Sequence, residues 1–396
     1  MKKYLESTVV TTGLAIFSML FGAGNLMFPL QVGLDSGDKI FWGLSGFMIT
    51  AVFLPIIGFV GMMLFNGNYE AFFNRLGKPV GTMLTCICML IIGPALAIPR
   101  ITTLSHTMIA PFLPWSWLSA INPSSSFVFA LIFLGVTFML TYQKGRIIDI
   151  LGKIIGPLLL LSLCIIIIKG FFSTGLINHT SATAGTVFIN NLQRGYETLD
   201  LLAALFFSSI VLSVLKNKIG KQTQFNPHQL AIIGLKAGMV GVSLLGLVYI
   251  GMGFLGMYHG AGLENAGNQG ELFRDISFRV LGAHGAFVIA TAVLMACLSM
   301  SIALAAVVAD YLHNEVFQKK ISYFGSLIIV LLACVPLSTA GLTRIAELTS
   351  GIIIYVGYPV LITLTLANIA YKLLGVKMVK IPVAVTFVVA LASYLW

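Results

Sequence analysis

Three charged side chains stand where an apolar chain gains little from charge. Arg100 follows Pro99 directly inside one apolar stretch, and Glu197 and Asp200 lie at the head of the apolar run 201–215. An ionisable group at membrane depth is costly, so it takes a partner; for a carboxylate that partner is a ligand ammonium or a cation. If the helix begins only at Leu199, both acids sit in the outer interface instead. Arg100 calls for a carboxylate or for helix-end carbonyls, as a structural lock or as part of a gate.

Backbone groups are the second source of chemistry. In Phe21-Gly22-Ala23-Gly24-Asn25-Leu26-Met27-Phe28-Pro29 the glycines and the proline are poor helix formers and Asn25 is polar, so a helix entering at Val9 loses its regular bonding near Gly22. Free N–H and C=O groups are tolerated in hydrocarbon only where they face protein, water or a ligand. Gln193-Arg194-Gly195-Tyr196-Glu197-Thr198-Leu199-Asp200 reads as a second break. Half-helix N-termini at such breaks offer N–H groups to an anion, and the opposite ends offer carbonyls to a cation. A zwitterionic amino acid fits both.

The elements that hold these groups follow from composition. Hydrophobic residues make up 58% of the 396-residue chain and charged ones 9%, with a mean hydropathy of +0.99, which describes a multi-pass membrane protein lying in the lipid bilayer. Apolar segments long enough to span fall at about 9–34, 40–65, 80–113, 124–142, 147–172, 192–215, 229–259, 284–312, 321–336, 344–371 and 378–396. The chain reads as one transmembrane domain, 1–396. The longest polar connections, 173–191 and 259–283, read as loops. With the N-terminus cytoplasmic, lysine and arginine gather on the inner side, as at Arg75, Lys78, Lys144, Arg146, Lys216, Lys218, Lys221, Lys319 and Lys320. Arg344 lies outside among acids such as Glu264 and Glu347, a distribution that agrees with the positive-inside rule. Trp396 then ends at the outer boundary.

Several classes are excluded. The net charge of +10 sits in short clusters between apolar runs, so nucleic acid is not an expected partner. The five cysteines, Cys86, Cys88, Cys164, Cys297 and Cys334, show neither disulfide nor metal spacing. No phosphate loop with its lysine and no histidine pair with a carboxylate is present, so neither ATP-driven transport nor an enzyme is expected, and no cofactor beyond a co-transported ion. His106 reads as a histidine hydrogen-bonded in place more than as a pH sensor. Nothing in the sequence sets an oligomeric state. With the breaks in the first and sixth spans, 9–173 and 190–371 have the opposite orientations of inverted repeats, and 378–396 is peripheral.

The stretch Phe21-Gly22-Ala23-Gly24-Asn25-Leu26-Met27-Phe28-Pro29, followed by Gly33 and Gly37, resembles the signature of the bacterial branched-chain amino acid:cation symporter family (BrnQ-like). Gly93-Pro94-Ala95-Leu96-Ala97-Ile98-Pro99-Arg100, Gly195-Tyr196-x-Thr198-Leu199-Asp200 and Tyr358-Pro359 are similar to its third-, sixth- and tenth-span motifs. The resemblance implies an all-α LeuT-like fold of five plus five inverted-repeat helices, with broken helices one and six and about eleven spans. It also implies uptake of leucine, isoleucine or valine coupled to sodium or protons. The alternatives are a carrier of other selectivity, an exchanger, or a non-transporting sensor or channel.

Carried over by position, Gly22, Ala23, Gly24 and Asn25 would line the substrate site, Ala23 and Gly24 offering backbone N–H groups to the substrate carboxylate and Asn25 supporting the break. Gly195, Tyr196, Thr198 and Asp200 would line the site, Thr198 and Asp200 facing the ammonium. The Ser18 and Phe21 carbonyls, the Ala296 carbonyl and the Ser299 hydroxyl would hold a sodium ion. Pro29, Pro94, Pro99 and Arg100 would shape or gate the pathway. The chain departs from the pattern at Met300, where a second hydroxyl is expected, and a thioether is a poor ligand for a hard cation. Weak or absent sodium dependence is therefore the expectation.

Overall fold

The computed structural model describes residues 2–173, 175–177, 179–219, 227–263, 269–282, 285–339 and 351–395. Among them every regular element is helical. Eight helices of these residues are long and apolar enough to cross a membrane, and three shorter apolar ones stand beside them: Glu6–Leu20, Tyr323–Ser338 and Lys380–Leu395. One of the eight, Ala23–Leu64, contains a short tight turn at Gly37–Lys39 and so holds the end of the first expected span and all of the second. The start of the tenth expected span, with Arg344 and Glu347, lies outside the described residues, as do Lys221, Glu264 and Trp396.

The first expected span is two helices, α1 (Lys2–Leu20) and α2 (Ala23–Ser36). Between them Gly22 is extended, with φ −102° and ψ −170°, and its N–H donates to Asn25 Oδ1 at 3.2 Å. That side-chain bond satisfies an amide the break would otherwise orphan. Within α2, Pro29 cannot donate to the Asn25 carbonyl one turn back. The second span follows as α3 (Ile40–Met48) and α4 (Leu54–Leu64), joined through a wide turn at Ile49–Phe53.

The third span is broken as well, into α5 (Lys78–Ile92) and α6 (Ala97–Ile109). Pro94 and Pro99 lack N–H groups, so the chain crosses on irregular bonds: Ala95 N to Leu90 O at 2.9 Å and Ile98 N to Gly93 O at 3.3 Å. Next come α7 (Pro123–Thr141) and α8 (Gly156–Phe171). The sixth span divides into α9 (Ala184–Arg194) and α10 (Asp200–Ile219) across a tight turn at Gly195–Thr198. Leu199 closes that turn in the left-handed region, φ 61°, a conformation that costs a side-chain-bearing residue about 1–2 kcal/mol.

Beyond it stand α11 (Pro227–His259), α12 (Gln269–Leu281), α13 (Ala286–Tyr311), α14 (Tyr323–Ser338), α15 (Tyr358–Leu374) and α16 (Lys380–Leu395). The two polar connections differ from the loops expected of them. The first carries most of α9, and the second carries α12, where Leu272, Phe273, Ile276 and Val280 are buried at helical spacing, a stripe too short to read as a span.

The unbroken α11 backs both halves of the first span. Its glycines let the helices touch: a Cβ on Gly33 of α2 would stand 1.9 Å from the Gly253 carbonyl, and one on Gly256 would stand 2.0 Å from the Leu30 carbonyl. Small residues at such crossings allow the close backbone approach on which membrane helix packing depends.

Candidate functional site

The breaks of the first and sixth spans are joined by one hydrogen-bond network. Asn25 Nδ2 donates to both carboxylate oxygens of Asp200, at 3.1 and 2.9 Å. Tyr249, midway along α11, donates its hydroxyl to Asp200 Oδ2 at 2.8 Å and lies against Asn25 Nδ2. All three side chains are buried. Thr198 completes the turn, donating to the Gly195 carbonyl at 2.9 Å and accepting from Asp200 N at 3.4 Å.

Asp200, expected to face an ammonium group, is engaged within this network. Its carboxylate is occupied by Asn25 and Tyr249, and it does not border the cavity beside it. The reason is local geometry. Residues three apart share a face of a regular helix, but the left-handed Leu199 lies between Glu197 and Asp200 and breaks that register.

The cavity lies where the three breaks meet and has a volume of about 30 Å³, room for a water or two. Ala23, Gly24 and Asn25 border it from α2, and Glu197 and Thr198 from the sixth-span turn. Apolar walls come from Ile92, Ile101 and Leu104 of the third span, and from Met300 and Leu304 of α13. Arg100 borders it from α6, its guanidinium carbon 5.6 Å from the centre of the Phe28 ring. The α2 amides of Ala23 and Gly24 are first-turn donors without an acceptor in their own helix.

Of the residues expected to contact substrate, Ala23, Gly24, Asn25 and Thr198 border this space, whereas Gly22, Gly195, Tyr196 and Asp200 do not. Gly22 is covered by Met300: a Cβ there would stand 2.0 Å from Sδ. Gly195 packs on Thr50, its Cβ position 1.9 Å from Oγ1. Tyr196 lies against Tyr358, ring centres 5.5 Å apart, and borders a second cavity of about 220 Å³ with Arg194, Ile354 and Pro359. Glu197 borders both cavities.

The residues expected to hold a cation lie on α1, at the break that follows it (Phe21), and on the neighbouring α13. Ser18, Phe21, Ala296 and Ser299 are fully buried. The Ser18 hydroxyl is turned to the Ala15 carbonyl at 2.9 Å and the Ser299 hydroxyl to the Ala296 carbonyl at 3.0 Å. These are hard, uncharged oxygens, a donor set that suits a monovalent cation. Among the described residues no three His, Cys, Asp or Glu side chains gather as a metal centre would need. His106 is held from both ring nitrogens, Nε2 at 2.8 Å from the Leu118 carbonyl and Nδ1 at 3.3 Å from Ser126 Oγ, and stacks on Phe129.

Two participants escaped the reading of the sequence. Tyr249 left one faint signal, a hydroxyl-bearing ring in the middle of an apolar run, and Met300 had been weighed only as a missing hydroxyl.

Helices broken at mid-length around one small cavity, with every regular element among the described residues helical and with apolar spans, define a multi-pass membrane transporter of the LeuT-like fold. Two solved structures share that fold. A Na+-coupled sialic acid symporter aligns with a TM-score of 0.58 at 12% identity, covering 98% of this chain and 90% of that one. A manganese transporter from Eremococcus coleocola aligns with a TM-score of 0.65 at 11% identity, covering 99% and 87%. Within that class the chain belongs to the family of branched-chain amino acid transport proteins, whose sequence model matches residues 5–395. A relative, the branched-chain amino acid permease BraB of Bacillus subtilis strain 168, is 29% identical over 372 residues, 93% of this chain and 81% of that protein.

Proposed function

We propose that the protein takes up leucine, isoleucine and valine across the bacterial cytoplasmic membrane by alternating access, driven by a cation gradient, with its N-terminus in the cytoplasm. The observation that carries this reading is the cavity at the three breaks. It combines free first-turn amides of α2 with an apolar wall of Ile92, Ile101, Leu104 and Leu304. The amides and the positive end of α2 suit a carboxylate. The wall suits an aliphatic side chain, each buried methylene of which contributes about 0.8 kcal/mol. At about 30 Å³ the space is far below the roughly 300 Å³ of an occupied ligand pocket, so this is a closed form that opens to load.

The coupling ion is read from the donor set at Ser18, Phe21, Ala296 and Ser299. Met300 adds no oxygen to it, so the site is weak for sodium, and proton coupling is the nearest rival.

The test is leucine uptake into proteoliposomes with a sodium or a proton gradient imposed, together with competition by all twenty amino acids. Isoleucine and valine are expected to compete and charged amino acids not to. Displacement of leucine by lysine or glutamate as readily as by valine would end the branched-chain assignment, and uptake indifferent to both gradients would end the coupling.

A further inference from the structure

The network that removes Asp200 from the cavity leaves two charges in it. Arg100 and Glu197 both border the space and both are half-buried. Among the described residues neither side chain makes a hydrogen bond or an ion pair. Their charged neighbours are otherwise engaged: Arg194 is paired with Asp35 at the far end of α2, and Asp200 is held by Asn25 and Tyr249. A cation and an anion border one small, mostly apolar cavity within reach of each other's field and yet not hydrogen-bonded, with the Phe28 ring beside the guanidinium, an arrangement that is costly until something bridges it.

We infer that Arg100 and Glu197 are the two ends of a zwitterion clamp, Arg100 taking the substrate carboxylate and Glu197 its ammonium. This assignment rests on the amino acid transport reading above and names the groups that recognise the substrate. The ends are fixed by position. Arg100 Nη2 lies 3.9 Å from where a Cβ on Gly24 would stand, so the guanidinium borders the cavity beside the first turn of α2, whose Ala23 and Gly24 line the same space. The guanidinium and those first-turn amides are donors, and a guanidinium fork matches a carboxylate. Glu197 sits on the turn between α9 and α10 beside Thr198 and offers acceptors only. Its place on the wall shared by the two cavities lets it meet the ammonium before the substrate is enclosed. Asp200 keeps the breaks in register and touches neither end.

The experiment measures binding of three ligands to the full-length protein in detergent: leucine, 4-methylpentanoate, which lacks the amino group, and leucinamide, which lacks the carboxylate. Wild type is expected to prefer leucine to both analogues by at least about tenfold, the scale of a lost charge-pair partner. Glu197→Gln is expected to lose most of its discrimination against 4-methylpentanoate while keeping that against leucinamide, and Arg100→Gln to do the reverse. Where a neutral variant does not fold, Glu197→Asp or Arg100→Lys, which keeps the charge and moves it, is expected to show the same selective loss in smaller degree. Variants that weaken leucine and both analogues by one common factor would overturn the clamp and leave these residues a structural role. A wild type stabilised by none of leucine, isoleucine and valine would overturn the transport reading and the clamp with it; a wild type that binds leucine, with discrimination unchanged in the variants, overturns the clamp alone.

Discussion

The thioether of Met300 lies over Gly22, filling the hollow at the first break so closely that a Cβ on the glycine would stand 2.0 Å from Sδ. A flexible side chain from α13 thus covers the bare backbone of the first span and forms part of the cavity wall at once.

Shortening that side chain enlarges the site. Met300→Ala is expected to admit bulkier apolar amino acids such as phenylalanine more readily than wild type. The cost in stability is up to the 2–5 kcal/mol usual for such a truncation in a core. Competition against leucine uptake checks the first expectation and thermal unfolding the second. An unchanged size limit would show that the wall opposite Met300 sets selectivity.

The same position bears on the ion. A threonine at 300 would bring a hydroxyl beside Ser299, on the helix that carries the Ala296 carbonyl, so Met300→Thr is expected to strengthen sodium dependence of uptake at fixed leucine concentration. Strong sodium-driven uptake by wild type, unchanged in Met300→Thr, would remove residue 300 from any account of the ion site.

Asp200 is hydrogen-bonded to Asn25 at the first break and to Tyr249 of α11. Asp200→Asn turns an acceptor into a donor facing Asn25 Nδ2, and Tyr249→Phe removes the hydroxyl on Asp200 Oδ2. Each is expected to cost on the order of 1.5–3 kcal/mol, the range for hydrogen bonds to a charged group. The double variant should cost less than the sum, since both act on one network. Neither is expected to alter the preference for leucine over 4-methylpentanoate. A selective loss of ammonium recognition in Asp200→Asn would return that residue to the substrate.

His106 is held from both sides by Leu118 and Ser126. Its replacement by glutamine is expected to lower the melting temperature and to leave the pH profile of uptake in place. A shifted profile would make it a titrating participant.

Much of this architecture was legible in residue types. Gly22 and Gly195 announced their breaks because a helix tolerates glycine poorly beside polar residues, and the apolar runs located the spans. The third break, at Gly93 to Leu96, was written just as openly in Pro94 and Pro99, yet the stretch read as a family motif more readily than as a break. The roles of Glu197 and Asp200 were not legible. Their spacing predicts a shared face, and a single left-handed residue, Leu199, undoes it; leucine gives no local sign of that conformation. Nor did the sequence tie Tyr249 to Asn25, 224 residues away, since no local pattern encodes a contact of that span.

The continuous α11 carries a mechanical consequence. It holds α1 where a Cβ on Gly241 would stand 2.7 Å from the Gly13 carbonyl, and α2 at Gly253 and Gly256, passing the break without interruption. A fracture splinted along its whole length cannot bend like an elbow. Each half-helix swings only by sliding on the splint or by carrying it along. The two faces of the protein are thereby geared like the ends of a seesaw: a load that tilts α11 at one face arrives at the other with opposite sense.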